Sequence, residues 1–547
     1  MVEPSLDVLV VGAGPVGLTL AAALTHHGVR CRLVEKAPVP SDKSKALAVW
    51  TRSMELLDGL GLADAFLQTG LRIGGGSMYA GGKRLVHLDL TGTESPFGFP
   101  LMIPQNETER LLAEHLAGAG VAVERGVELT GFVETADAVQ ATLRHPDGRD
   151  ETLVVPWLVG CDGAHSTVRH TLGMEFAGHP DPSDWMLADV HVAGDLARDE
   201  VSIFWNDEGV LAVFPIDRRR VRLIADQGIA QPGKPEAEVT LAHAQAVLDA
   251  RGPGGLVLSD PIWLTNFRIN ERKVAEYRRG RVMLAGDAAH IHSPAGGQGM
   301  NTGMQDAFNL AWKLALIQRG RGQTEPLLRS YSVERSAVGD QVLRNAERFT
   351  TIATLRSPIA RWLRDHIAPI VGAFGAVQER VRNEWWELSI NYRQSPLSWE
   401  QWPPHGGGLP AGDRLCDAPL TAPDGDATSV FTVLRGARRQ ALLLIPASHA
   451  RDAVARLAAI AADAAGAFPD LLDAHVVLPA GSAPTLETPG VCTWIDTEGR
   501  LHDRLHATVA TLVVVRPDGY VGFRCQPADG HGLLAYLGRY LVGGGAG

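Results

Sequence analysis

The sequence predicts an α/β protein (α+β overall): a doubly wound dinucleotide-binding domain, an antiparallel sheet inserted into it, and a separate C-terminal domain. Three observations carry that reading. A glycine loop, Gly12-x-Gly14-x-x-Gly17, stands between an apolar run and a helical segment. Around residues 185–228 the texture changes from continuous apolar runs to alternation, as in "DEVSIFWNDEGVLAVFPIDRRRVRLIADQ". A Pro/Gly-rich break, "WPPHGGGLPAGDR" at 402–414, then opens a new block of strands.

The elements follow in order. "LDVLVV" (6–11) suits a buried parallel strand, "LTLAAALTHHG" (18–28) a helix closed by Gly28, and "VRCRLVEK" (29–36) the second strand of a β-α-β unit. Residues 74–100 are rich in Gly and β-formers and read as a hairpin or sheet insertion. "ETERLLAEHLAGAG" (107–120) is helical, and "ETLVVPWLVGCDGAHSTVRHTLG" (151–173) is strand, loop and helix. The strand-loop-helix style returns at "RVMLAGDAAH" (281–290), and helical sequence runs from about 302 to 390. The first domain is therefore discontinuous, 1–175 with 265–400, and 74–104 contributes to the sheet of an inserted domain at 176–264. Residues 408–547 form the last domain, with strands in "ALLLIP", "HVVLP" and "TLVVVRPDGYVGFRC", the last a hairpin through Pro517-Asp518-Gly519, and a final helix in "HGLLAYLGRYL".

Bulk properties exclude several classes. At 547 residues the chain is long enough for three or four domains. A formal charge of −11 argues against nucleic acid, and Arg218-Arg219-Arg220 is a turn patch rather than a basic face. Five dispersed cysteines (31, 161, 416, 492, 525) without a C-x-x-C pair argue against a disulfide framework and against zinc. The apolar run 8–25 is broken by Gly12, Gly14 and Gly17 and preceded by Glu3 and Asp7, so neither a signal peptide nor a membrane span is expected, and the expected location is cytoplasmic. His290-x-His292 supplies two ligands at most, so no metal is expected and a loop-structuring role is. Ser166 reads as a helix N-cap, since G-x-S-x-G is absent.

The chemistry lies in three loops. Gly12 permits a tight turn, Gly14 lets backbone approach a pyrophosphate, and Gly17 lets helix and strand pack closely; Ala13 and Pro15 complete the loop. The helix N-terminus then faces phosphate with free N–H groups. Glu35, with Lys36 beside it, is placed to accept hydrogen bonds from a ribose. Asp162 in "CDGAHSTVR" and Asp287 in "AGDAAHIHSPAGGQGMN" each follow an apolar strand at a Gly turn, so Glu35, Asp162 and Asp287 line one elongated ligand.

With these three motifs together the chain, over nearly its whole length, resembles a class A flavoprotein monooxygenase of the aromatic-ring hydroxylase superfamily, which includes phenol and polyketide hydroxylases. The resemblance implies a Rossmann-like domain holding FAD, with Asp287 on the ribityl chain and Gln105, in "PQNETERLL", on its ribityl side. It implies that the stretch 296–301, with Gly297, Gly299, Met300 and Asn301, offers backbone N–H groups to the flavin's pyrimidine edge, with Pro294 and Gly297 near the ring. A helix beginning near Gly299 would aim its positive end at the N1/O2 locus. Asp162 would serve FAD and NAD(P)H. Where relatives carry Arg-Ala, this chain has Lys45-Ala46, which keeps the charge but loses the guanidinium fork.

Only one G-x-G-x-x-G lies in strand-helix context, and the near match "GGGLPA" (406–411) follows no strand. The resemblance accordingly implies NADPH or NADH as a transient co-substrate, O2 as oxidant, and hydroxylation of a small aromatic molecule through a flavin C4a-hydroperoxide. The inserted sheet would be the substrate surface, with Trp205, Phe214, Pro215 and Pro294 as candidate contacts. No side chain declares itself a general base. Baeyer–Villiger oxygenation on the same fold, or sequestration of an aromatic ligand without turnover, are the alternatives; W-x-W-x-I-P, the halogenase signature, is absent. The C-terminal region resembles the thioredoxin-like domain of several such hydroxylases, in a structural or oligomerising role compatible with a homodimer.

Overall fold

The structure, a computed structural model, describes residues 6–92, 94–229, 238–293, 296–353, 375–447, 451–482 and 490–544. Its first sheet runs Arg278–Arg279, Val282–Leu284, Trp157–Gly160, Val8–Val11, Cys31–Glu35 and Val123–Arg125 from edge to edge. All neighbours are parallel except the antiparallel edge ribbon Arg278–Arg279. The central strand Val8–Val11 is buried at every position, which is why it reads as an unbroken apolar run. Helices Pro15–His26 and Gly299–Gln318 pack against one another, joined to the sheet core through Leu18, Ala22, Met304, Ala307 and Ala311.

Sequence reasoning missed an antiparallel meander of Glu128–Glu134, Val139–Arg144 and Asp150–Val155, although Val139, Ala141 and Leu143 alternate with polar residues along its middle strand. Its local signature is the turn at Asp147-Gly148, with Gly148 at φ 83°.

The inserted sheet has eight strands, in the order His290–Ile291, Val257–Lys273, Ala177–Ala193, Arg220–Ile229, Gly209–Pro215, Glu200–Asn206, Gly75–Ala80 and Lys83–Asp89. Pairing is antiparallel throughout except where Gly75–Ala80 joins Glu200–Asn206 in parallel. Alternation along each strand separates two faces. Met186, Ala188, Leu211, Val213 and Leu223 pack under helix Leu241–Arg251. The opposite face turns toward the first domain, where Val201, Ile203 and Phe214 meet Trp50, Ile73 and Trp386.

The long helices Gly299–Gln318 and Thr324–Ala353 and the helix Gly375–Trp385 lie in the stretch expected to be helical. The C-terminal sheet is mixed, in the order Trp399–Gln401, Val521–Cys525, Thr511–Val515, Gln440–Ile445, Leu472–Pro479, Val491–Asp496, Pro419–Thr421 and Ala427–Ser429. One face packs Leu442, Leu444, Val514 and Phe523 against helices Arg451–Ala467 and Gly530–Leu537. The other packs Leu443, Ile445, Val513 and Val521 against Leu501 and Leu505. Among the described residues no helix is long and apolar enough to cross a membrane.

Candidate cofactor and substrate site

The three glycines of the first loop differ physically. Gly12 sits at φ 100°, and a Cβ there would lie 2.4 Å from the Cys161 carbonyl oxygen. A Cβ on Gly17 would lie 1.8 Å from the Gly12 carbonyl oxygen. At Gly14 nothing lies within 4 Å of the Cβ position. Two glycines thus exist for close packing and the middle one fronts open space at the start of helix Pro15–His26, which has no side-chain cap. The Glu35 carboxylate braces this loop, accepting the Ala13 N–H at 2.8 Å and the Ala37 N–H at 2.9 Å. Lys36 beside it is exposed.

Asp162 accepts from the Ser166 hydroxyl at 2.6 Å and from the Val168 N–H at 3.2 Å. Ser166 caps the helix Thr167–Thr171 by accepting the Arg169 N–H at 2.9 Å, as its sequence context predicts. Buried Arg169 donates to the carbonyls of Ala164 at 2.7 Å and Ala288 at 3.0 Å. It therefore ties the Asp162 turn to the Asp287 turn.

Asp287 projects from the short 3-10 turn Gly286–Ala288, where its neighbours are buried and it alone is exposed. Although solvent reaches the side chain, protein packed closely around it desolvates the carboxylate and pushes it up, against the attraction of His290 and Lys45. Gly286, at φ 60°, is pressed against Val16, so the turn rests directly on the first helix. His290 Nε2 pairs with Asp306 at 2.8 Å and its ring stacks with Tyr277 at 5.8 Å, which is the loop-structuring role. His292 bonds the Ser293 carbonyl through Nδ1 at 2.9 Å, so that nitrogen carries the proton; burial lowers this histidine to about 4.

Helix Gly299–Gln318 begins three residues before the helical stretch read from residue 302, at the glycine near which the family resemblance puts a helix start. Its first intrahelical bond runs from the Thr302 N–H to the Gln298 carbonyl, at 2.8 Å. The N–H groups of Gly299, Met300 and Asn301 precede that bond and lie at the positive end of the helix. The Asn301 side chain is committed elsewhere: it accepts the Trp50 N–H at 2.9 Å and donates to the carbonyls of Ala48 at 2.9 Å and Gly297 at 3.1 Å. Trp50 Nε1 also donates to the Gly297 carbonyl, at 3.0 Å. These bonds fix the loop entering the helix. Pro294 lies outside the described residues.

Gln105 accepts the Ala46 N–H at 3.1 Å and donates to Glu109 at 2.8 Å, so it holds the Lys45 segment to its own helix. From the inserted sheet, Arg222 donates to the carbonyls of Lys45 at 3.1 Å and Ser44 at 2.5 Å while paired with Asp189 at 2.7 Å. On the same sheet face Trp205 packs with Trp185, Val210 and Ile269, and Phe214 is half-buried near Trp50. Pro215, one residue on, shares the register of Leu211 and Val213, whose side chains face helix Leu241–Arg251.

Sequence reasoning missed a polar stripe on helix Gly299–Gln318. Thr302 and Gln305 both donate to Glu387, the Thr302 bond at 2.9 Å; Asp306 pairs with Arg335 at 2.6 Å; Asn309 and Lys313 donate to Glu334 at 2.7 and 2.8 Å. Glu387 holds a left-handed backbone at φ 59°, and burial raises its carboxyl to about 8. The signal was available as "TGMQDAFNLAWK", polar residues at i, i+3, i+4 and i+7 in a helix too apolar elsewhere to be a surface one.

These features fit FAD. The open Cβ position at Gly14, two uncapped helix N-termini and an exposed carboxylate on the Asp287 turn all stand just past the carboxyl ends of the parallel strands, where a doubly wound sheet takes a dinucleotide. The FAD binding domain family matches residues 5–346. The chain is similar to 6-methylpretetramide 4-monooxygenase of Streptomyces rimosus, 40% identical over 72% of this chain and 71% of that one. It is 32% identical to pentachlorophenol 4-monooxygenase of Sphingobium chlorophenolicum over 98% of this chain and 96% of that one. Among solved structures, an anhydrotetracycline hydroxylase from Streptomyces rimosus superposes with a TM-score of 0.74 at 29% identity, covering 98% of both chains. Aklavinone-11 hydroxylase, in a ternary complex with FAD and aklavinone, superposes with a TM-score of 0.78 at 25% identity, covering 98% of this chain and 99% of that one.

Proposed function

The chain belongs to the FAD-binding family of aromatic and polyketide monooxygenases, and on that premise we propose that it hydroxylates a phenolic or polyketide-like aromatic at the expense of NAD(P)H and O2. The observation that carries the reading is the placement of an exposed Asp287 and two uncapped helix starts past the ends of the parallel strands, with the aromatic face of the inserted sheet turned toward the same domain. When bound, FAD supplies the redox chemistry, accepting a hydride and activating O2 for transfer to carbon.

The chain's own residues bind, orient and exclude water. Gly12–Gly17 and Glu35 receive the adenosine and pyrophosphate end, and Lys36 and Lys45 add positive charge beside it. Asp287 accepts from the ribityl hydroxyls, and the N–H groups of Gly299, Met300 and Asn301 favour negative charge on the ring system. Asp162 acts chiefly by shaping the turn that Arg169 joins to Asp287. Trp205 and Phe214 receive the aromatic substrate, and Gly297 borders the ring. A dry, closed sheet face is what a reactive oxygen donor requires. The C-terminal block, with strands Gln440–Ile445 and Leu472–Pro479 parallel and Thr511–Val515 and Val521–Cys525 antiparallel, supports a thioredoxin-like reading. Burial pushes the Cys416 thiol up and the Cys525 thiol to about 11, which disfavours the thiolate that disulfide exchange requires and supports a structural role.

The test is stoichiometric. NAD(P)H consumed, O2 consumed, peroxide released and product formed are measured with a panel of phenols and aromatic polyketides. A hydroxylated ring carrying oxygen from labelled O2 is expected. Oxygen from labelled water, or peroxide alone with every ligand, overturns the proposal, and a ring-expanded lactone replaces it with Baeyer–Villiger chemistry.

A further inference from the structure

We propose that Arg516 and Asp518, at the hairpin turn of the C-terminal domain, are positioning residues for the cofactor-binding helix Gly299–Gln318. The strands Thr511–Val515 and Val521–Cys525 carry this turn out of their own sheet and into the side of the first domain. There Arg516 donates to both oxygens of Glu334, at 2.7 and 3.0 Å, and to Asp518 at 3.0 Å. Glu334 also accepts from Asn309 at 2.7 Å and Lys313 at 2.8 Å, and Asp518 accepts from Trp312 Nε1 at 3.1 Å. Arg52, on the helix after Trp50, donates to the Asp518 carbonyl.

Asn309, Trp312 and Lys313 stand at i, i+3 and i+4, one face of the same helix whose first turn offers its N–H groups to the flavin. The charges close on themselves: cations Lys313 and Arg516 face anions Glu334 and Asp518, and all four are buried. Remove Arg516 and two buried carboxylates are left with a single ammonium, a state the chain relieves only by moving the helix or admitting water. A second line of contact runs from the same turn. The Tyr520 ring lies 4.2 Å from that of Tyr392, whose hydroxyl accepts from Arg335 at 2.9 Å. Arg335 holds Asp306 at 2.6 Å, and Asp306 accepts the Gly286 N–H at 2.9 Å. Arg335 also donates to the Thr302 carbonyl in the first turn of the helix, at 2.9 Å, so the C-terminal turn supports both the helix start and the turn that carries Asp287.

The experiment uses the full-length protein and reads FAD dissociation by fluorescence and the visible circular dichroism of bound flavin, so it needs no substrate. Arg516→Met should weaken FAD binding by about one to two decades and alter the flavin dichroism, since hydrogen bonds to charged groups are being broken. Arg516→Lys should restore most of the affinity. Glu334→Gln combined with Arg516→Met leaves Lys313 against Asp518, and this neutral pair should bind FAD more tightly than Arg516→Met alone, a rescue that loss of packing cannot produce. Arg435→Ala, which removes only the rim pair with Asp58 between the same two domains, should leave FAD affinity unchanged. If Arg516→Met does not fold, the double variant decides: near-native FAD binding supports the proposal and failure to bind overturns it. Unchanged affinity in Arg516→Met, additive loss in the double variant, or an equal loss in Arg435→Ala also overturns it.

Discussion

The Asp306 carboxylate accepts the Gly286 N–H at 2.9 Å while it holds Arg335 at 2.6 Å and His290 at 2.8 Å. A residue on the long helix therefore sets the backbone from which Asp287 projects. Asp306→Ala should cost roughly 3–5 kcal/mol, the expense of stranding a buried partner charge, and should weaken FAD binding although Asp306 is not itself a cofactor contact. Chemical denaturation with and without FAD checks both effects.

Asp287→Ala should behave oppositely. It should leave the apoprotein's stability nearly unchanged, because the side chain is exposed, and should weaken FAD binding by about one to two decades. An unchanged dissociation constant by flavin fluorescence would remove Asp287 from the site.

The glycine loop offers a sharper separation. Gly17→Ala forces a methyl to 1.8 Å from a carbonyl oxygen and should prevent the native loop from forming. Gly14→Ala meets nothing within 4 Å, so the protein should fold with wild-type thermal stability yet bind FAD poorly. If Gly14→Ala binds FAD normally, the pyrophosphate does not pass there.

Phe214 and Leu211 lie on opposite faces of one strand. Leu211→Ala should destabilise by about 2–5 kcal/mol with little change in substrate preference. Phe214→Ala should cost less stability and alter KM across a series of aromatic substrates of increasing size. Identical kinetics for the two variants would move the substrate off this face.

Stability should fall in acid. Burial lowers His27 to about 3 and His292 to about 4, below the unfolded value of 6.5. The unfolded chain therefore binds more protons than the folded one below pH 6.5. Stability is full above that value and declines as pH falls from it, by up to about 1.4 kcal/mol per pH unit per histidine until the folded values are reached. His27→Gln should flatten the melting temperature between pH 6.5 and 5; a profile as steep as wild type would assign the acid lability elsewhere.

What the sequence makes legible is what short-range physics determines. The loop Gly12–Gly17, its flanking strands, the start of the helix at Gly299 and the Ser166 cap each depend on a few neighbouring residues. Arg222 is illegible because its value lies in reaching the Ser44 and Lys45 carbonyls far away in the chain. Asn301 shows how a motif residue can be spent: its amide staples Trp50 and Gly297, and only its backbone N–H is left in the first turn of the helix. Asp162 likewise spends its carboxylate on a local cap. Glu334 and Arg516 look like ordinary surface charges until tertiary contacts bury them beside Lys313.

The parallel pairing of Gly75–Ala80 with Glu200–Asn206 also bears on how the chain is made. On the ribosome the hairpin Gly75–Asp89 emerges well before the strand that will close its inner side, and residues 90–199 must be synthesised in between. Its outer strand carries Lys83, Arg84 and Asp89, charges that discourage pairing with another nascent chain. The inner strand has no such guard beyond the weak strand propensity of Gly75 and Gly76. The interval between those two events is when this protein is most exposed to mispairing, and a synonymous change that slows translation within 90–199 lengthens it without altering a single residue.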